Sequence, residues 1–260
     1  LSQNGNGIDP LPIFSDADIK SFAQNGGTDW QDVIYRPATT QNHQLSISGA
    51  TDKISYLVSA GYLDQEGILL NTGYKRFSLR ATLKTDITKW ARFGVNWYGS
   101  KEKANSALFG GSTDWPNNPI GAALRFSPTI PVYDSTGNYS RSSTQYGNPT
   151  VWNPLASAIE PLNDNETIQN NLNAYLEFQL IEGLTLRISG GAILTNNNNL
   201  SFLNSKTFIG LQNNGSGVVD ESHSNYYQNS NILTYDKVFN KHHITFTGVA
   251  EQKYSKGYSS

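Results

Sequence analysis

From Tyr74 to Ile87 every second residue changes character. Lys75, Phe77, Leu79, Ala81, Leu83, Thr85 and Ile87 form one set, and Tyr74, Arg76, Ser78, Arg80, Thr82, Lys84 and Asp86 the other. Side chains of a strand alternate between its faces, so this run predicts a strand with one apolar and one charged side. Strands of soluble domains average about 5–6 residues, whereas a tilted membrane-spanning strand needs about 9–11. The same alternation recurs seven more times. It is carried by Leu45 and Ile47, by Ile54 to Tyr62, by Ala91 to Trp97, by Leu172 to Leu180, by Leu184 to Ile188, and by the runs 222–237 and 242–254.

The links between these runs alternate too. Short turns are expected at 50–53, 87–89, 181–183 and 239–241, and long loops at 64–72, 101–166 and 196–221. Tight turns on one side and long loops on the other distinguish an outer-membrane β-barrel, and Tyr62, Trp90, Trp97, Tyr98, Tyr235 and Tyr254 suit its interfacial girdles. A soluble β-sandwich or solenoid with half-buried strands is the competing architecture. Residues 1–41 read as an extracellular loop segment with one short helix, Ser15 and Asp18 forming a capping box and Asn25-Gly26-Gly27 ending it. Residues 42–260 read as barrel strands.

Composition changes the picture little. The chain has 260 residues, 15% of them charged, with a net charge of −2. Soluble domains carry about 25% charged residues. Mean hydropathy is −0.47, a polarity that comes from Asn, Gln, Ser and Thr. No basic excess marks a nucleic-acid partner. Cys is absent, which excludes thiolate metal sites and cysteine nucleophiles. Met is absent as well, so the chain starting at Leu1 reads as a processed or excised piece. No apolar run is long enough for a transmembrane helix, and hydropathy averages are blind to a barrel.

Candidate chemistry is sparse, and no enzyme is expected. His242 and His243 are adjacent and so point to opposite faces of a strand. No nucleophile elbow, triad or phosphate loop is present. No cofactor is expected. Asp134-Ser135-Thr136-Gly137-Asn138 offers oxygen ligands for a loop Ca²⁺, but lacks the spaced acidic series of an EF-hand, and Asp and Asn beside Gly are ordinary turn chemistry. Arg76, Arg80, Lys84, Arg92 and Arg187 would line a wet lumen. In the loop 101–166, which holds seven prolines from Pro116 to Pro161, Phe109, Trp115, Tyr133 and Trp152 are candidate contacts for a substrate or a lid. Loops of this length without structure of their own are uncommon unless functional.

Several ordered motifs resemble the SusC/RagA-type TonB-dependent outer-membrane transporters of Bacteroidota. They are Thr28-Asp29-Trp30-Gln31-Asp32, Gln41-Asn42-His43, Ser48-Gly49, Gly61-Tyr62 with Asp64-Gln65-Glu66-Gly67, Tyr74-Lys75-Arg76-Phe77-Ser78, Arg125 to Gly137, and Leu233 to Lys237. The resemblance implies an all-β transmembrane antiparallel barrel, of which about eight strands of a larger, plugged 22-stranded barrel are here, with long extracellular loops. It implies import of oligosaccharides or oligopeptides across the outer membrane of a Gram-negative cell. It also implies TonB as energy source through a region absent from this chain, and a SusD-like surface lipoprotein as lid. The alternatives are a passive porin-like channel and a soluble glycan-binding β-protein.

Overall fold

The computed structural model describes residues 15–107, 118–142 and 150–260. Eight strands form a single antiparallel sheet in sequence order: β1 (Thr40–Ala50), β2 (Ile54–Glu66), β3 (Gly73–Thr88), β4 (Ala91–Asn105), β5 (Leu162–Ile181), β6 (Leu184–Leu203), β7 (Ser216–Phe239) and β8 (His242–Ser259). Each strand pairs only with its chain neighbours, so the sheet is an up-and-down meander with β1 and β8 at its edges.

The register keeps the two sets of side chains apart. Phe77 lies opposite Tyr62 and Lys101, Leu83 opposite Tyr56 and Val95, and Leu176 opposite Phe93 and Ile188. This face leaves large apolar side chains open: Leu45 is 70% exposed and Phe246 64%. Burying such surface is worth about 25 cal/mol per Å², so the face requires an apolar medium. Its height can be read on β3. From the level of Phe77 upward the outward positions turn charged, with Lys75 paired to Asp64 at 3.1 Å, Lys101 to Glu166 at 2.9 Å and Lys103 to Asp164 at 2.9 Å. Phe77 to Ile87, at about 3.3 Å per residue and a tilt of about 40°, makes a band roughly 25 Å tall, the height of an outer-membrane barrel's apolar belt. Among the described residues no helix is long and apolar enough to cross a membrane.

Strand ends depart from the pattern-based expectation. β4 continues to Asn105 and β5 begins at Leu162, so the connection expected at 101–166 is 106–161. The loop expected at 196–221 shrinks to 204–215, because β6 runs through Asn196–Asn199 to Leu203 and β7 starts at Ser216. Likewise β1 begins at Thr40. Beyond the bilayer both faces of a strand meet water, so the alternation fades while the backbone ladder continues. Polar cross-strand bonds support it there. Thr167 donates to Asn197 at 2.8 Å, Asn197 to Ser222 at 3.4 Å, and His223 Nδ1 lies 2.9 Å from Asn196 Oδ1. Tyr98, expected in an aromatic girdle, instead sits on the polar face, under Arg80 at 5.8 Å.

The tightly packed core lies outside the strands. Helices α1 (Asp16–Asn25), α2 (Trp30–Ile34), α3 (Pro119–Arg125), α4 (Pro154–Ile159) and α5 (Phe208–Gln212) all fall in the connections on the long-loop side of the sheet or in the segment before β1. Trp30, Ile34, Leu69, Ala122, Phe126 and Val151 belong to one buried cluster. The Asp29 side chain caps α2 by accepting from the N–H groups of Gln31 (3.0 Å) and Asp32 (3.2 Å), and Asp32 in the first turn suits the helix dipole.

Candidate functional site

Two segments that stand apart in sequence meet in this core. Trp30 packs edge-on against Phe126, ring centroids 4.7 Å apart, and its Nε1 donates to Ser127 O at 3.0 Å. Thr28 N donates to Pro128 O (2.8 Å) and Thr28 Oγ1 to Ile130 O (2.8 Å). The strip 28–36 is joined in turn to the β2–β3 connection, where Arg36 N donates to Ile68 O and Leu70 N to Ile34 O. The outer connections therefore form one packed cap on the sheet.

Next to this core a small hairpin carries Tyr133. Asp134 N donates to Asn138 O at 2.8 Å and Ser140 N to Val132 O at 3.1 Å. Gly137 takes φ +84°, the left-handed conformation that a type I turn followed by a bulge requires and that glycine adopts without steric cost. Asp134 Oδ1 accepts from Thr136 N, Thr136 Oγ1 and Asn138 N. The Thr136 hydroxyl, together with these backbone N–H groups, holds its carboxyl below the ordinary value, and commits Oδ1 to the turn. The hairpin sets Tyr133 and Tyr139 side by side, stacked at 5.5 Å.

The hairpin is fastened to α4 by Asn153. Its Oδ1 accepts from Leu155 N (3.0 Å) and Ala156 N (3.2 Å), capping the helix. Its Nδ2 donates to Val132 O (3.0 Å) and Ser140 O (3.2 Å). Beside it Trp152 donates from Nε1 to Lys206 O at 2.8 Å, leans on Phe208, and carries the Arg141 guanidinium over its ring at 5.1 Å. Behind them Glu160 accepts from Tyr139 Oη (2.8 Å), Asn204 Nδ2 (2.8 Å) and Lys206 Nζ (3.2 Å). Burial works to raise its carboxyl, but the bonds from Asn204, Tyr139 and Lys206 outweigh that and hold it below the ordinary value. Burial and the Glu160 charge push the Tyr139 phenol strongly upward, so it stays a donor.

These residues surround a cavity of about 670 Å³, lined by Tyr133, Tyr139, Arg141, Trp152 and Lys206 among others. Small-molecule sites are about 300–1,000 Å³. Of the loop aromatics singled out from sequence, Tyr133 and Trp152 both line it, while Phe109 and Trp115 lie outside the described residues. Sequence reasoning missed Tyr139, Arg141, Glu160 and Lys206. Tyr139 had a local signal, since it faces Tyr133 across a turn marked by Asp134 and Gly137. The others are assembled only by the fold.

The cationic row falls on the polar face of the sheet. Arg76, Arg80 and Lys84 share the parity of β3 that meets Glu102, Tyr98 and Gly94 of β4, and Arg92 and Arg187 lie opposite Glu177. Arg92 pairs with Asp86 and Glu177, both at 3.2 Å, and Arg187 sits 3.9 Å above the Tyr175 ring. Tyr175 fits only because its cross-strand neighbour is Gly94, where an added Cβ would come within 2.2 Å of the Tyr175 ring. Among the described residues Arg76, Arg80 and Lys84 have no carboxylate within ion-pair distance. No group of three or more His, Cys, Asp or Glu residues among the described residues is placed to hold a metal ion.

Lipid-height strands, tight turns on one side and a packed loop cap on the other define a segment of an outer-membrane β-barrel. Comparison with known proteins agrees. No family profile matches the chain. It is 27% identical to TonB-dependent receptor P3 of Formosa agariphila over 245 residues, 92% of this chain and 24% of that protein. It is 31% identical to TonB-dependent receptor SusC of Bacteroides thetaiotaomicron over 186 residues, 63% of this chain and 18% of that protein. The RagAB peptide transporter superposes with a TM-score of 0.72 at 24% identity over 90% of this chain and 27% of its own. The open-open state of the RagAB peptide importer gives 0.70 at 25% identity. In sequence and in fold the chain is similar to the SusC/RagA-type TonB-dependent receptors of the outer membrane. It spans about a quarter or less of the length of the curated relatives it matches.

Proposed function

We propose that this chain is wall and outer cap of an importer that takes up oligosaccharides or oligopeptides across the outer membrane, driven by TonB. A SusD-like lipoprotein would close over the cap. The observation that carries this reading is the union of a bilayer-height apolar belt with a packed outer cap holding an aromatic and cationic cavity. A passive pore needs the belt but no such cap. The polar face would be the lumen wall. Arg76, Arg80 and Lys84 would then stand ready for carboxylates of a plug or of cargo, while Arg92 and Arg187 are already engaged. Tyr133 and Trp152, with Phe109 and Trp115, would contact cargo or lid. The chain contributes no catalysis and no cofactor in this reading, and the Asp134 loop acts as a turn.

The test is uptake of labelled neutral oligosaccharides, acidic oligosaccharides and peptides by cells making the full-length protein. Uptake of at least one class should vanish when TonB or the proton gradient is removed. Uptake that persists without TonB would replace the importer with a passive channel.

A further inference from the structure

The cavity between the Tyr133 hairpin and α4 has a definite charge character. Glu160 is turned away from it in effect, its side chain only 14% exposed and its oxygens taken by Tyr139, Asn204 and Lys206. Asp134 also lines the cavity, with its Oδ1 committed to its own turn. Arg141 is different. Its guanidinium carbon lies 5.1 Å over the Trp152 ring, and among the described residues it has no hydrogen-bond or ion-pair partner. A guanidinium held over a ring with no polar partner keeps its N–H donors, a planar fork that matches a carboxylate or sulfate. Lys206 lies on the same wall, its Nζ paired with Glu160 at 3.2 Å. Beside them Tyr133 is covered on one ring face by Tyr139 yet remains 49% exposed. An aromatic face open to water next to an unused anion fork suits a ligand with an apolar ring face and a negative substituent. A sugar ring bearing an acid has both, and an acidic peptide side chain has only the second.

We propose that this cavity takes an acidic sugar of an oligosaccharide, a hexuronate or a sulfated hexose. Its ring lies on Tyr133, and its carboxylate or sulfate is held by Arg141 with Lys206 alongside. The proposal rests on the importer reading and narrows its cargo. Arg141 selects the charge, because a neutral ring leaves its donors to water. Tyr133 selects the ring, whatever charge it bears.

The experiment is calorimetric titration of the full-length receptor in detergent with four probes: an oligogalacturonate, a sulfated galacto-oligosaccharide, a neutral galacto-oligosaccharide of equal length and a glutamate-rich peptide. Wild type should bind at least one acidic oligosaccharide about tenfold or more tightly than the neutral one, and the two acidic probes distinguish carboxylate from sulfate. Arg141→Gln should lose about tenfold to a hundredfold for the acidic sugar, with no change for the neutral one. Tyr133→Ala should weaken both sugars and spare the peptide. Equal binding of neutral and acidic sugars, an unaffected Arg141→Gln variant, or preference for the peptide would each overturn the proposal. TonB-dependent uptake of the neutral sugar or the peptide in the same cells would leave the importer reading standing when this one falls.

Discussion

Asn153 joins the hairpin to α4 through four hydrogen bonds, two accepted and two donated, with 2% of its surface exposed. Only an amide can serve both sides. Asn153→Asp keeps the cap but aims a carboxylate oxygen at two carbonyls, and Asn153→Ala loses cap and donors together. An unsatisfied buried polar group costs about 1–3 kcal/mol, and a lost cap about 1 kcal/mol. Both variants should therefore expose 132–142 and 150–160 to limited proteolysis at protease levels that leave those segments of wild type intact, Asp at least as severely as Ala. Glu160 gives the same region a pH dependence. Its folded carboxyl lies below its ordinary value of 4.5, so its contribution is complete above that value and is lost as pH falls through the folded one. Protection factors of the amides at 139 and 204–206 should hold from pH 8 to pH 5 and fall once pH drops below the ordinary glutamate value of 4.5. In Glu160→Gln the acid-induced step should disappear.

At the scale of the strand, position along the axis decides what a side chain costs. Leu176 faces outward within the apolar belt, opposite Phe93 and Ile188, while Leu200 shares the outward parity of β6 well above it, opposite Asp164 and Val219. Arginine at the lipid face costs about 2–4 kcal/mol deep in the belt and about 0–1 near its edges. Leu176→Arg should lower the folding free energy of the full-length barrel into vesicles by about 2–4 kcal/mol, and Leu200→Arg by less than about 1. Equal costs would place the belt wrongly. The same geometry explains what the sequence disclosed. β3 was readable from end to end because lipid and water impose opposite demands on alternate residues. Asn196–Asn199 gave no strand signal, since in water on both sides a strand needs only its ladder and tolerates Asn in a row. Tyr133 and Trp152 stood out as large aromatics among prolines, but Arg141, Glu160 and Lys206 look like ordinary surface charges until the fold joins two separate connections.

For the molecule as a whole, the cap and the sheet are held by different forces. Every residue of the buried cluster around Trp30 lies outside the eight strands. The sheet is held by its ladder and by the apolar medium against its outer face, and the cap by packing and by a few long-range bonds such as Trp30 Nε1 to Ser127 O. Two such units should open separately. Truncating a buried Trp costs about 3–5 kcal/mol, enough to melt a small core without touching a barrel wall. Trp30→Ala in the full-length protein should make the segments 28–36, 67–72 and 118–132 exchange their amides together. The strands should keep their protection, and the folded band should keep its heat-modifiable migration in unboiled gels. Trp30→Phe retains most of the packing and loses the indole donor, so its effect should be smaller and confined to the Ser127 junction. If either variant unfolds the strands as well, cap and wall form one cooperative unit, and cargo bound in the cap would then be felt directly by the barrel.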